Sequence, residues 1–133
     1  MKQFLFFPAF FIITSFHSIA QTKQDGHLLD STSMDIYYEN GFSAHIEFND
    51  GHITWQLISG TGSQNATGQE SYKSKKIADK MYVVSFLDTS RHSFVTFVFN
   101  FNKDILLASA IRTKDEANFL DSATIEHLHL KEN

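Results

Sequence analysis

The chain has 133 residues, a formal net charge of −4 and no cysteine. This length favours a single domain, and the lack of cysteine excludes a disulfide framework, a thiolate nucleophile and a cysteine-ligated zinc site. The acidic balance argues against nucleic acid binding, which requires a basic surface. With 42% hydrophobic residues, the composition is that of a folded domain rather than a disordered chain.

The first twenty residues predict a secretory signal peptide. Lys2 precedes an apolar run over residues 4–13, and six of the fourteen phenylalanines lie within the first sixteen residues. Residues 18–20 are Ser-Ile-Ala, the small-x-small pattern that signal peptidase reads. The apolar run is shorter than the roughly 18 residues of a membrane span. We therefore expect cleavage between Ala20 and Gln21, an exported product that is periplasmic or secreted, and no membrane anchor.

The rest of the chain divides into a polar, flexible lead-in, residues 21–33, and a β-domain, residues 34–133. In the β-domain, short runs of β-branched and aromatic residues alternate with turns rich in Gly, Asn and Asp. The predicted strands are residues 34–38, 42–48, 52–58, 71–77, 81–87, 93–101, 105–112 and 121–130. Residues 59–70 hold three of the six glycines and no large apolar side chain, which predicts an exposed loop or a frayed edge.

The turns connecting these runs are short. Asn40-Gly41 favours a hairpin with a type I′ turn, which needs positive φ at both central residues, and Asn49-Asp50-Gly51 forms a second tight turn. Eight short strands with such connections predict an all-β, eight-stranded antiparallel up-and-down barrel, because closure removes the exposed edges of a small sheet. A two-sheet sandwich is the alternative. An eight-stranded barrel has room for side chains or one small ligand.

Three segments resemble the MoaF-like and phenolic acid decarboxylase group of calycin (lipocalin-like) barrels. The first is an aromatic strand ending in an acidic-Asn-Gly turn, residues 37–42. The second is a strand ending in Ser-Gly, residues 53–60, and the third is the Tyr-Val-Val-Ser-Phe-Leu-Asp strand, residues 82–88. The resemblance spans about residues 36–112 and implies an eight-stranded barrel with a central cavity.

The resemblance also implies where a decarboxylase site would lie. In those enzymes two tyrosines, an arginine and a glutamate form the site, and the matching residues here are Ile36, Tyr38, Gln56 and Asp88. Gln56 lacks the positive charge that pairs with a carboxylate, and Asp88 is one methylene shorter than glutamate. We therefore expect a non-enzymatic binding protein. The alternative is a cofactor-free lyase in which Asp88 donates the proton and Tyr38 anchors the substrate.

Strand alternation extends the matched positions to a cavity lining. For a small, partly apolar ligand, the predicted contacts are Tyr38, Gln56, Tyr82, Phe86 and Asp88, with no cofactor and no metal. The same alternation places Thr54 and Ile58 inside and turns Ile53, Trp55 and Leu57 outward. Either the outside of the barrel is covered there, or the strand is shifted by one residue, which exchanges its faces and makes Trp55 a core residue. A third possibility is an interaction protein whose cavity is filled by side chains.

Three further patterns have two interpretations each. If residues 121–130 form a strand, His127 and His129 share a face. They are then either metal ligands or, more simply, surface histidines. Asp88, Arg91 and His92 fall in one hairpin loop, either as a catalytic cluster or as ordinary loop residues. Residues 94–101 are apolar on both faces, which predicts burial on both sides or a contact with a partner, and hence a possible homodimer.

Overall fold

A computed structural model describes residues 26–60 and 66–131, and the predicted signal peptide, residues 1–20, lies outside them. Eight antiparallel strands form a closed barrel in which each strand pairs with the next and β8 pairs with β1. The strands are β1 (Thr32–Tyr38), β2 (Ser43–Asn49), β3 (His52–Ser59), β4 (Thr67–Ala78), β5 (Met81–Asp88), β6 (Ser93–Asn100), β7 (Ile105–Arg112) and β8 (Ala117–His129). The predicted all-β, up-and-down barrel is confirmed, and the sandwich alternative is wrong. Within the described ranges, no helical segment has the length and apolarity of a membrane span.

β4 and β8 each begin four residues earlier than their sequence pattern suggests, and β1 begins two residues earlier. β4 starts at Thr67, inside the glycine-rich stretch, and Gly68 pairs with Trp55 of β3. A Cβ atom on Gly68 would lie 2.1 Å from Cζ2 of Trp55, so the indole ring occupies the space that a side chain would need. β8 starts at Ala117, which pairs with Arg112 across the β7–β8 turn. For β4, local apolar content therefore underestimates the length of the strand, because its first residues are small ones that lie beside the Trp55 ring.

The two glycine turns differ in geometry. Asp50 and Gly51 both have positive φ, 48° and 73°, which is the type I′ arrangement. In the β1–β2 hairpin only Gly41 has positive φ, 89°. The N–H of Gly41 donates to the carbonyl of Tyr38 at 3.1 Å, and the N–H of Tyr38 donates to the carbonyl of Phe42 at 2.8 Å. The predicted hairpin is present, but the type I′ turn predicted at Asn40-Gly41 is wrong, because one left-handed residue suffices in this longer loop.

One end of the barrel is densely packed and closed. Its buried side chains, all at most 2% exposed, are Leu29, Met34, Phe48, Tyr72, Val84, Phe99 and Leu106. Residues 26–31 cross this end: Asp30 accepts hydrogen bonds from the Gly51 N–H at 3.1 Å and from the Tyr72 hydroxyl at 2.8 Å. Leu29 is 2% exposed at this end of the barrel, and Thr32 and Ser33 of the predicted lead-in, residues 21–33, already lie in β1. We refer to this as the closed end.

The inward face of β3 is opposite to the face that the family match implied. Ile53 is fully buried, and Trp55 and Leu57 pack against the core, whereas Gln56 is exposed and Ile58 is 52% exposed. The predicted inward orientation of Thr54, Gln56 and Ile58 is therefore wrong, and the alternative that makes Trp55 an interior residue is correct. The physical reason is that turning Ile53, Trp55 and Leu57 inward removes more apolar surface from water.

Candidate functional site

A cavity of about 330 Å³ occupies the end of the barrel opposite the closed end. We refer to this as the open end. Aromatic rings form much of the wall, and they belong to Tyr38, Phe42, Trp55, Phe86, Phe97 and Phe119. The polar lining residues are few, namely Asn40, Ser43, Asp88, Arg91, Ser109 and Asp121. This volume and this mixture of apolar walls and a few polar groups are typical of small-molecule sites.

Tyr38, the last residue of β1, faces the cavity and has a strongly perturbed hydroxyl. Burial, with a contribution from the negative charge of Asp121, raises the pKa of Tyr38 to about 12. A tyrosine hydroxyl is protonated at neutral pH, and the raised pKa extends its ability to donate a hydrogen bond into the alkaline range. Asp121, on β8, lines the same cavity and accepts hydrogen bonds from Asn40 Nδ2 at 3.3 Å and from the Ser122 N–H at 2.8 Å.

Asp88 ends β5 and is only 3% exposed. Its Oδ1 accepts hydrogen bonds from the Ser90 hydroxyl at 2.7 Å and from the backbone N–H of Arg91 at 3.1 Å. The Nε of Arg91 lies 3.8 Å from Oδ2, so a cation partly neutralises this buried carboxylate. Asp88 therefore organises the β5–β6 loop and brings Arg91 to the cavity edge.

The two turns that carry the family resemblance, at Asn40-Gly41 and Ser59-Gly60, meet at the open end. The hydroxyl of Ser59 donates to the carbonyl of Gly41 at 3.2 Å, and that of Ser43 donates to Ser59 at 2.6 Å. Gly60 has φ of 134°, and a Cβ there would lie 2.7 Å from the ring of Phe42. The Ser-Gly and Asn-Gly motifs therefore fix the position of Phe42 at the cavity edge.

The structure brings together part of the predicted ligand-binding set. Tyr38, Phe86 and Asp88 line the cavity. Gln56 lies on the outer face of β3, and Tyr82 packs against Phe101, with ring centroids 5.8 Å apart, away from the cavity lining.

Most lining residues were missing from that set, and Trp55, Arg91 and Asp121 show why. Trp55 is signalled by the alternation of Ile53, Trp55 and Leu57. Arg91 was noted only as a loop residue, and it reaches the cavity because Asp88 holds its loop. Asp121 follows no motif, because its position depends on the pairing of β8 with distant strands.

A second polar cluster lies on the outside of the barrel and joins β1, β2 and β8. Asp35 accepts hydrogen bonds from His45 Nδ1 at 2.6 Å and from His127 Nδ1 at 2.8 Å. His127 has φ of 49°, at an irregularity where Ser33 pairs with His129 but Asp35 pairs with Glu126. In the described part of the chain, no group of three or more His, Asp or Glu side chains has a metal-binding arrangement.

Comparisons with known proteins agree with the barrel. The family model described as the MoaF N-terminal domain matches residues 16–115. A solved structure from Burkholderia vietnamiensis, described as a "putative beta-lactamase", superposes with a TM-score of 0.65 and 13% sequence identity. The match covers 73% of this chain and 92% of that one, and at such identity the likeness concerns the fold alone. The search of curated proteins gave no match.

Proposed function

The chain belongs to the MoaF family, whose model matches most of its length, and from this premise we propose that it is an exported, non-enzymatic protein that binds a small, partly apolar ligand in the open-end cavity. The observation that carries the proposal is the contrast between the two ends of the barrel. Side chains fill the closed end, whereas about 330 Å³ at the open end is left unfilled within an aromatic wall.

The cavity wall has the chemistry to hold such a ligand in a defined orientation. Trp55 and Phe86 lie with ring centroids 5.6 Å apart, and Phe86 and Phe97 are 5.4 Å apart. These rings offer a large apolar surface that is already arranged in the folded barrel. Tyr38 supplies a protonated hydroxyl at the wall. A preorganised wall of this kind reduces the entropy that a ligand loses on binding.

The lyase alternative receives less support from the same geometry. It requires Asp88 as the proton donor and Tyr38 as the anchor, and both residues do line the cavity. However, Asp88 accepts hydrogen bonds from Ser90 and from the Arg91 backbone, and the Arg91 side chain lies beside it. These contacts give the Asp88 carboxylate a structural role in the loop. Binding without catalysis is therefore the function that the site supports best.

Ligand binding can be tested with the neutral probe N-phenyl-1-naphthylamine. Trp55 is the single tryptophan of the chain, so energy transfer from it reports occupation of the cavity. We expect saturable binding by the wild-type protein, and we expect Ala110→Phe, which fills part of the cavity, to weaken it at least tenfold. Ala78→Phe, at an exposed position on β4, is the matched control and should leave binding unchanged. A failure of the wild type to bind, or equal binding by Ala110→Phe, would contradict the proposal.

Export is tested separately, by N-terminal sequencing of the protein recovered after expression of the full chain. The small residues at positions 18 and 20 support processing after Ala20. We expect the mature protein outside the cytoplasm to begin at Gln21, and we expect Ala20→Arg to block this processing. Recovery of a cytoplasmic protein that still begins at Met1 would refute export and leave the binding proposal standing.

A further inference from the structure

The charged groups around the open end do not balance. Arg91 faces the buried carboxylate of Asp88, and Nε of Arg112 donates to Asp115 at 2.8 Å. Each of these two cations thus already has an anionic neighbour. The remaining charged lining residue is Asp121, which among the described residues forms no salt bridge with Lys or Arg. One negative charge at the cavity wall is therefore left without a cation.

Neutral donors also satisfy only part of the hydrogen-bonding capacity of the Asp121 carboxylate. Oδ1 accepts a bond from the adjacent backbone N–H of Ser122, and Oδ2 accepts a long bond, 3.3 Å, from the amide of Asn40. A carboxylate has about four acceptor positions in total. Asp121 pairs with Ala108, another lining residue, so its carboxylate lies at the cavity wall with acceptor capacity to spare.

The cavity wall near Asp121 suits a cation for a second reason. Tyr38, Phe42 and Phe119 line the same end of the cavity, and aromatic faces attract ammonium and guanidinium groups. Phe119 already interacts with a cation, because the Arg112 guanidinium carbon lies 5.2 Å from its ring centroid. Aromatic rings combined with an unpaired carboxylate form the type of site that recognises organic cations.

From these observations we propose that the ligand of the cavity is an amphipathic amine, whose ammonium group binds Asp121 while its apolar or aromatic body packs against Trp55 and Phe86. This inference rests on the proposed binding function and specifies its ligand class. An anionic ligand is disfavoured, because it would approach Asp121, whose negative charge no Lys or Arg of the described residues offsets. The pairing of a ligand cation with Asp121 also supplies the missing counter-charge.

The test compares three probes that share a phenyl group and differ in charge: 2-phenylethylamine, 2-phenylethanol and 3-phenylpropionate. Binding is measured by calorimetry and by the fluorescence of Trp55. The wild-type protein should bind the amine most tightly and the carboxylate most weakly. Asp121→Asn should weaken amine binding at least tenfold, which is about 1.4 kcal/mol, while affinity for the alcohol changes less than twofold.

Asp115→Asn is the matched control, because it removes a nearby exposed carboxylate that Arg112 already pairs. It should leave the order of the three affinities unchanged. Tighter binding of 3-phenylpropionate, or equal binding of all three probes, would overturn the amine assignment without affecting the proposed binding function. If none of the three probes binds and N-phenyl-1-naphthylamine does not bind either, both the amine assignment and the proposed binding function are rejected. The order of the three affinities is measured on the wild-type protein, so it tests the amine assignment even if Asp121→Asn does not fold.

Discussion

At the scale of single residues, the contact between Gly68 and Trp55 determines the shape of the cavity. At position 68 only glycine leaves room for the indole ring. A Cβ there would lie 2.1 Å from Cζ2 and 2.5 Å from Cε2 of Trp55. The ring is packed between this backbone and Phe86, so it has little freedom to withdraw. The glycine therefore permits a large aromatic wall in a narrow barrel.

Replacing Gly68 with alanine should displace the indole ring and destabilise the fold. Overpacking of this kind typically costs about 1–3 kcal/mol. We expect a lower free energy of unfolding in urea, together with altered Trp55 emission in the folded state. Gln69→Ala, on the neighbouring exposed position of β4, is the control and should have little effect. Unchanged stability and unchanged emission in Gly68→Ala would show that the ring adapts without cost.

The inward positions of Tyr38 and Phe86 follow from strand alternation, which is visible in the sequence. The outward position of Gln56 follows from the alternation of Ile53, Trp55 and Leu57, which contradicts the orientation that the family resemblance implied. Asp121 illustrates a different limit. Its place at the cavity depends on β8 pairing with both β7 and β1, and nothing within its own segment indicates that register.

At the scale of elements, the seam between β1 and β8 carries a titratable cluster. Burial would raise the pKa of Asp35, but hydrogen bonds from His45 and His127 outweigh it, and the pKa is lowered. The hydrogen bond to Asp35 raises the pKa of His45 against the opposing effect of burial, and Glu47 adds to the increase. Glu126 pairs with Asp35 across the seam and is exposed. The cluster therefore stabilises the seam most when Asp35 is ionised and His45 is protonated.

The pH range of this stabilisation follows from the two shifts. A raised His45 pKa stabilises the folded state fully below the unfolded value, about 6.5, and this contribution is lost as the pH rises through the folded value. A lowered Asp35 pKa stabilises above the unfolded value, about 3.9, and is lost as the pH falls through the folded value. The contribution is thus largest between about pH 4 and pH 6.5.

We expect the wild type to lose more stability than Asp35→Asn when the pH is raised from about 6 to about 8.5, since only the wild type loses the ion pair. Because His45 is 39% exposed, solvent screening should limit the difference to less than about 1 kcal/mol. Urea unfolding at the two pH values measures it. Asp79→Asn, which alters an exposed carboxylate on another turn, should follow the wild type. Parallel pH dependence of Asp35→Asn and the wild type would contradict this role.

Element prediction from sequence was accurate for the strands themselves, because turn residues and period-two runs mark them locally. The first residues of β4 and β8 were harder to predict. β4 begins among small residues whose place is explained by Trp55 on the neighbouring strand. The irregularity in β8 that turns His127 towards Asp35 is a property of the seam, not of the local sequence.

At the scale of the whole molecule, the outer surface of β5–β7 is apolar. Leu87, Phe94 and Ile111 are direct cross-strand neighbours, and each is about half exposed, at 51%, 49% and 49%. Further residues on this outer surface are Val83, Ser85, Thr96, Val98, Ile105 and Leu107, and none of them is charged. The sequence of residues 94–101 predicts burial on both sides or contact with a partner, and this surface is the side left exposed.

We expect this surface to pair with its counterpart on a second copy of the chain. Two copies related by a twofold axis would bury it without enclosing an unpaired charge. Native mass spectrometry and light scattering should show a homodimer, and Phe94→Lys should shift it to monomer. Ile77→Lys, at an equally exposed apolar position on β4, is the control. A wild-type monomer at high micromolar concentration, or a dimer unaffected by Phe94→Lys, would refute this assignment.

The pairing of β1 with β8 also has a consequence for how the protein folds. The seam brings together Asp35 and Glu126, from opposite ends of the described chain, so barrel closure must overcome the entropy of joining distant segments. Until β8 is in place, β1 and β7 each present an unpaired edge that can associate with other chains. Closure is therefore expected to be a late step in folding, and a chain shortened before Ala117 would be prone to aggregate.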